Sequence, residues 1–242
     1  MRLSVVVPVK NEQDNILPLL EEIHATLEGR EDFEVIYVND GSTDHTQARL
    51  HEAMPHFPRL RVIEHATSCG QSTAIMTAVR AARGEWIATL DGDGQNDPAD
   101  IAAMLAAAQA PNQPPNLQCV AGWRTKRQDS WLRRMSSRIA NAVRARLLHD
   151  ATPDTGCGLK LIPRRVYLQL PFFDHMHRFL PALIQRNGGA TISLPVRHRP
   201  RTRGVSNYGV HNRLWVGLVD LLGVAWLQRR MRRPVISEQA HS

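Results

Sequence analysis

At 242 residues, with a formal net charge of +7 and a sequence pI near 10, the chain has room for one sizeable α/β domain and calls for anionic partners. Cys69, Cys119 and Cys157 lie far apart with no CxxC pair, which argues against a disulfide framework and against a structural zinc site. No run approaches the roughly 20 apolar residues that span a bilayer, and no nucleic-acid-binding signature accompanies the basic clusters. Phosphorylated substrates or an acidic membrane surface are therefore the favoured partners, in the cytosol or on the cytosolic membrane face.

Leu3 to Val9 is a β-branched run and reads as a first strand. Glu12 to Leu27 places Ile16, Leu19, Leu20, Ile23 and Leu27 at helical spacing. Phe33 to Val38 is a second strand ending in the turn Asn39-Asp40-Gly41-Ser42, with Ser42 or Thr43 available to cap the helix that follows. Leu60 to Glu64 is a third strand, Gly70 to Ala82 a helix, and Trp86 to Leu90 a short strand apolar on both faces. This alternation implies a doubly wound, mostly parallel sheet.

Asp91-Gly92-Asp93-Gly94-Gln95 follows at the end of that strand, where open α/β sheets place their ligands. On extended backbone Asp91 and Asp93 project to one side about 7 Å apart, a spacing that suits a hard divalent cation and a diphosphate. The glycines permit the turn and a close ligand approach. Pro98 opens another helix, residues 110–116 form a linker, and Leu117 to Ala121 is a strand.

The second half is less regular. Residues 124–146 carry eight Arg or Lys against Asp129 alone, with Trp131, Leu132, Met135, Ile139, Val143 and Leu147 on the other face of a predicted helix. Asp154 to Gly158 is a loop, Leu159 to Ile162 a strand, Arg178 to Gln185 a helix stopped by Asn187-Gly188-Gly189, and Thr191 to Val196 a strand. Leu214 to Leu227 is an apolar helix of about 21 Å, too short for a bilayer core of about 30 Å. Its tryptophans and the arginines after it suit either an interfacial membrane helix or a helix packed on protein.

Val7-Pro8-Val9-Lys10-Asn11-Glu12, Val38 to Ser42, Asp91 to Gln95 and Gly122-Trp123-Arg124, in this order, resemble the family 2 glycosyltransferases of GT-A fold. Asp154 to Lys160 and Arg203 to Tyr208 narrow the resemblance to the branch of dolichol-phosphate mannose synthase and bacterial polyprenyl-phosphate glycosyltransferases. It covers about residues 1–210 as the catalytic domain, with 211–233 as an amphipathic helix and 234–242 as a tail. The resemblance implies that Pro8, Lys10, Glu12 and Asp40 hold the nucleotide, and that Asp91, Asp93 and Gln95 bind Mg²⁺ or Mn²⁺. It sets Arg124 against the donor phosphates. Asn39 stands where an acid is common, Cys157 where many relatives have serine, and Asn207 where many have lysine.

Arg138, Arg199, Arg203 and Ser206 are the candidates for an acceptor phosphate, because arginines bind phosphate by paired, charge-assisted contacts. No Gln-x-x-Arg-Trp motif of hydroxyl-directed relatives is present. The expected activity is inverting transfer of a sugar from a nucleotide diphosphate (GDP-mannose or a UDP-hexose) to a polyprenyl phosphate, peripheral at the membrane, alone or with a membrane partner or second copy. The rivals are transfer to a saccharide hydroxyl, and a non-catalytic nucleotide-sugar or anionic-lipid binding module.

Overall fold

A computed structural model of the chain describes residues 1–125, 143–150, 152–201 and 213–232. Seven strands form one sheet: β1 (Leu3–Val9), β2 (Phe33–Asp40), β3 (Leu60–His65), β4 (Trp86–Thr89), β5 (Leu117–Arg124), β6 (Lys160–Pro163) and β7 (Ala190–Val196). Their order is β3-β2-β1-β4-β6-β5-β7. All pairings are parallel except the two that flank β6, which runs against both β4 and β5.

The pleat sorts the side chains of β1 to opposite faces. Leu3, Val5, Val7 and Val9 pack with α1 (Ile16–Leu27) and α4 (Asp100–Gln109), while Val6 faces α3 (Gln71–Ala81). The predicted helical stripe of α1 is the buried one: Ile16, Leu19, Leu20, Ile23 and Leu27. On the α3 side lie α6 (Arg164–Leu168), α7 (Leu180–Arg186) and the C-terminal helix α8 (Arg213–Arg230). Residues 143–148 form α5.

One expectation changes. The helix after β2, α2 (Thr46–Ala53), starts beyond the predicted caps. Ser42 Oγ instead accepts the Asn11 N–H at 3.0 Å, and Thr43 N–H is held by Asn11 Oδ1 at 2.8 Å. Asn11 adopts a left-handed φ of 56° to make this link, which ties the loop after β1 to the loop after β2. Of the two readings open for α8, interfacial or packed on protein, its inner face fits packing: Leu221, Val224 and Ala225 are buried against the domain.

Strands β2 and β3 lie on one side of β1, and β4 lies on the other. Crossovers therefore leave β1 in opposite directions, and a crevice opens between the C-terminal ends of β1 and β4. That crevice is where the predicted site residues meet.

Candidate active site

A cavity of about 300 Å³ occupies the crevice. Pro8, Lys10 and Glu12 enter it from the end of β1, Asp40 from β2, and Asp91, Gly92 and Asp93 from the loop after β4. Close packing explains Gly92, since a Cβ there would lie 2.4 Å from Val9 Cγ1 and 3.0 Å from the Pro8 carbonyl oxygen. Only glycine lets the loop after β4 lean on the end of β1.

Asp91 and Asp93 both face the cavity, although not on extended backbone: β4 ends at Thr89 and the chain then turns. Asp93 Oδ1 accepts the Gln95 N–H at 3.1 Å, which shapes that turn. Burial and the neighbouring Asp93 push the Asp91 carboxyl up to about 6, against the pull of Lys160, Arg124 and Gln71. Glu12 is raised too, first by burial, and Asp93 adds to it. Carboxylates held this close leave negative charge without full compensation, and their hard oxygens fit Mg²⁺ or Mn²⁺. Asp91 and Asp93 would hold such an ion. The Gln95 side chain departs from expectation: it lies outside the cavity lining and its amide donates to the Arg199 carbonyl at 3.3 Å.

Asp40 is a hub rather than an open ligand. Its carboxylate accepts Cys69 N–H at 2.8 Å, Gly70 N–H at 2.9 Å and Ser68 Oγ–H at 2.7 Å, and pairs with His65 Nδ1 at 2.7 Å. Burial alone would raise it, but these donors outweigh burial and hold it below the usual carboxylate range. The loop 66–70 is thereby folded over the cavity, and Gly41 (φ 62°) lets it come close. Asp40, His65 and Cys69 lie within metal-ligand reach of one another. Both His65 nitrogens are nevertheless engaged, Nε2 with Thr77 Oγ1 at 3.0 Å, so the group reads as a hydrogen-bonded brace.

Arg124, at the end of β5, forms a bidentate pair with buried Asp154, Nε at 2.6 Å and Nη2 at 2.8 Å. The pair fixes the loop 152–158, and two buried cations brace the same loop from below. Arg144 donates to Thr155 Oγ1 and the Thr152 carbonyl, and Lys160 Nζ donates to the Thr155 and Cys157 carbonyls. Gly158 of this loop presses on Asp91: a Cβ there would fall 2.1 to 2.4 Å from the Asp91 carboxylate atoms.

The segment 197–201 crosses the loop after β4 as a strap. Arg199 N–H donates to the Gln95 carbonyl at 2.9 Å, and Asn96 bridges His198. Arg199 is committed to Glu22 (2.8 Å) and Asp97 (3.0 Å), and Arg197 to Asp97 and Asp100. Arg199, expected on an acceptor phosphate, thus pins the strap to α1 and to the loop before α4. Among the described residues Arg201 is the arginine that lines the cavity, paired with Glu12. Arg138, Arg203 and Ser206 lie outside the described residues.

Sequence reasoning missed Gln71, which lines the cavity and donates its Nε2–H to Asp91 Oδ1 at 2.8 Å. It also assigned no role of their own to Asp154, Gly158 or Lys160. Asp154 pairs with Arg124, 30 residues away, and Gly158 meets Asp91 across the sheet, contacts that no local pattern announces.

Comparison with known proteins gives a family and agrees with the fold. The sequence profile of Glycosyl transferase family 2 matches residues 4–170. Dodecaprenyl-phosphate galacturonate synthase of Rhizobium johnstonii is 36% identical over 245 residues, 97% of this chain and 69% of that protein. Undecaprenyl-phosphate 4-deoxy-4-formamido-L-arabinose transferase of Edwardsiella ictaluri is 34% identical over 211 residues, 86% of this chain and 63% of that protein. Among solved structures, glucosyl-3-phosphoglycerate synthase of Mycobacterium tuberculosis, in complex with Mn²⁺, UDP-glucose and glycerol 3-phosphate, superposes with a TM-score of 0.67 at 19% identity. That match covers 94% of this chain and 79% of the other, and it speaks for the fold.

Proposed function

The chain belongs to glycosyl transferase family 2, and from that premise we propose that it moves a sugar from a nucleotide diphosphate donor to a polyprenyl phosphate, with inversion, at the cytosolic membrane face. The observation that carries the reading is the meeting of Asp91 and Asp93 with Lys10, Glu12 and Arg201 in one cavity at the β1–β4 crevice. The relatives named above are, by their names, a polyprenyl-phosphate sugar synthase and a polyprenyl-phosphate sugar transferase, which supports the acceptor class. So does the absence of a hydroxyl-directed motif. The chain spans 69% and 63% of those two relatives.

In this reading Lys10 and Arg201 supply positive charge to the donor diphosphate, and Glu12 is the carboxylate that Arg201 leaves when phosphate arrives. Gln71 keeps Asp91 turned into the cavity, and Arg124 with Asp154 keeps the loop of Gly158 against it. A bound Mg²⁺ or Mn²⁺ would supply charge stabilisation for the leaving diphosphate. A lipid monophosphate has a second pKa near 6, so it is largely dianionic at neutral pH and needs little help from a base. Its oxygen attacks the anomeric carbon as the carbon–oxygen bond to the diphosphate breaks on the opposite face.

Thermal melting in a panel of nucleotide sugars, with Mn²⁺ or with chelator, tests the donor half of the reading. The expected result is a rise for one nucleotide class that needs the cation and is absent in Asp93→Asn. A rise of equal size in chelator would remove the metal from the account.

A further inference from the structure

Helix α8 has two faces, and its attachment fixes which one looks outward. His175 Nδ1 pairs with Asp220 at 3.1 Å, Arg186 Nε donates to the Leu227 carbonyl at 3.1 Å, and Gln228 Nε2 donates to the Leu148 and Ala182 carbonyls at 3.0 and 3.3 Å. With Leu221, Val224 and Ala225 buried, these tethers hold one side of the helix against the domain. The opposite face is apolar and bare: Leu218 is 44% exposed, Val219 66%, Leu222 56% and Trp226 58%. At 3.6 residues per turn, these four and Arg229 fall within an arc of about 100°, with Arg230 at its edge.

The charge on this face is one-sided. Asp220 is the only acid of the helix and is turned inward to His175. Arg229 and Arg230 are exposed at the C-terminal end, Arg230 stacking over the Trp226 ring at 5.8 Å, and exposed Arg232 follows. A tryptophan and aliphatic side chains flanked by arginines match the boundary between acyl chains and anionic headgroups. Among the described residues, the four apolar side chains of this face offer much less than the roughly 800 Å² that each partner of a stable protein complex buries.

We propose that the outward face of α8 docks the folded domain on an anionic bilayer, with Leu218, Val219, Leu222 and Trp226 in the acyl boundary and Arg229 and Arg230 on the headgroup phosphates. The inference rests on the polyprenyl-phosphate reading for its purpose but not for its evidence. His175 extends its use. It joins Asp220 of the docking helix to the loop of Asp174, whose Oδ1 lies 3.3 Å from the position of a Cβ on Gly70, at the rim of the cavity.

The test is flotation of the full chain with vesicles of phosphatidylcholine containing phosphatidylglycerol, against phosphatidylcholine alone, at low and high salt and with no polyprenyl phosphate present. Wild type is expected to float with the anionic vesicles and to be released by salt. The double variant Leu222→Ser/Trp226→Ser should bind at least about tenfold more weakly. Arg229→Ala/Arg230→Ala should lose about twenty-five-fold, each arginine contributing about fivefold, together with most of the salt dependence. Neither pair packs on the domain, so melting temperatures should stay at the wild-type value. Equal flotation of wild type and both variants overturns the proposal. So does a wild type that stays off the vesicles and runs as a dimer that Leu222→Ser/Trp226→Ser dissolves, which would assign the face to a second copy. A protein that floats yet transfers no sugar to detergent-dispersed polyprenyl phosphate would instead count against the proposed reaction and leave the docking face standing.

Discussion

Asp91→Asn should abolish sugar transfer while making the protein more stable. Burial and Asp93 hold the Asp91 carboxyl at about 6 against an ordinary 3.8. The folded state therefore disfavours its charged form, and the penalty is absent below the unfolded value, grows as pH rises, and is complete above the folded value. The gap of about 2 units corresponds to about 3 kcal/mol at pH 8. At pH 5, between the unfolded and folded values, roughly half of that penalty remains. Asparagine keeps an oxygen to accept the Gln71 amide and loses the charge. For a domain of this size each kcal/mol moves the midpoint by roughly 2–4 °C, so the variant should melt on the order of 6–12 °C higher at pH 8 in chelator, with the gap shrinking towards pH 5. Mn²⁺ with donor should then raise wild type and leave the variant unmoved. Calorimetry across pH 5 to 8 reads all of this. A variant that melts at or below wild type at pH 8, or a gap that does not narrow in acid, would refute the electrostatic argument for the site.

Gly158→Ala forces a methyl into the Asp91 carboxylate; turnover should fall at least about a hundredfold with the fold retained, read by initial rates beside circular dichroism. Arg124→Ala leaves Asp154 buried without its bidentate partner and should cost about 3–5 kcal/mol in chemical denaturation, with Arg124→Lys recovering only part of it. Asp40→Ala removes the acceptor of the loop 66–70 and should cost about 3 kcal/mol. Because Asp40 is held below the usual carboxylate range, its contribution is full above that range and is lost as pH falls through its folded value. The variant should therefore show a flatter acid limb than wild type.

Much of the framework is legible in the sequence because buried strands and amphipathic helices write their burial into local periodicity. The β-branched run of β1, the stripe of α1 and the apolar β4 before Asp91 each occupy the positions their patterns predict. Asp91 and Asp93 were legible because a strand end is a local feature. Long-range partnerships are not. Arg199 has the chemistry of a phosphate ligand, yet Glu22, 177 residues away, holds it as part of a strap. Ser42 has the chemistry of a helix cap, yet Asn11 claims it across the sheet edge. Gln71 lies on the first turn of α3 with nothing nearby to mark it, and only the parallel pairing of β1 with β4 brings it to Asp91. The left-handed Asn11 and the tight approach of Gly158 to Asp91 are tertiary facts of the same kind.

The central claim is the nature of the acceptor. Enzyme, Mn²⁺ and radiolabelled nucleotide sugars are incubated with polyprenyl phosphate or with free polyprenol, and the lipid fraction is extracted and counted. The account predicts label on the lipid from the phosphate alone, as a sugar phosphodiester that is lost in Asp91→Asn. Label on the alcohol and none on the phosphate would contradict it and return the site to a hydroxyl acceptor.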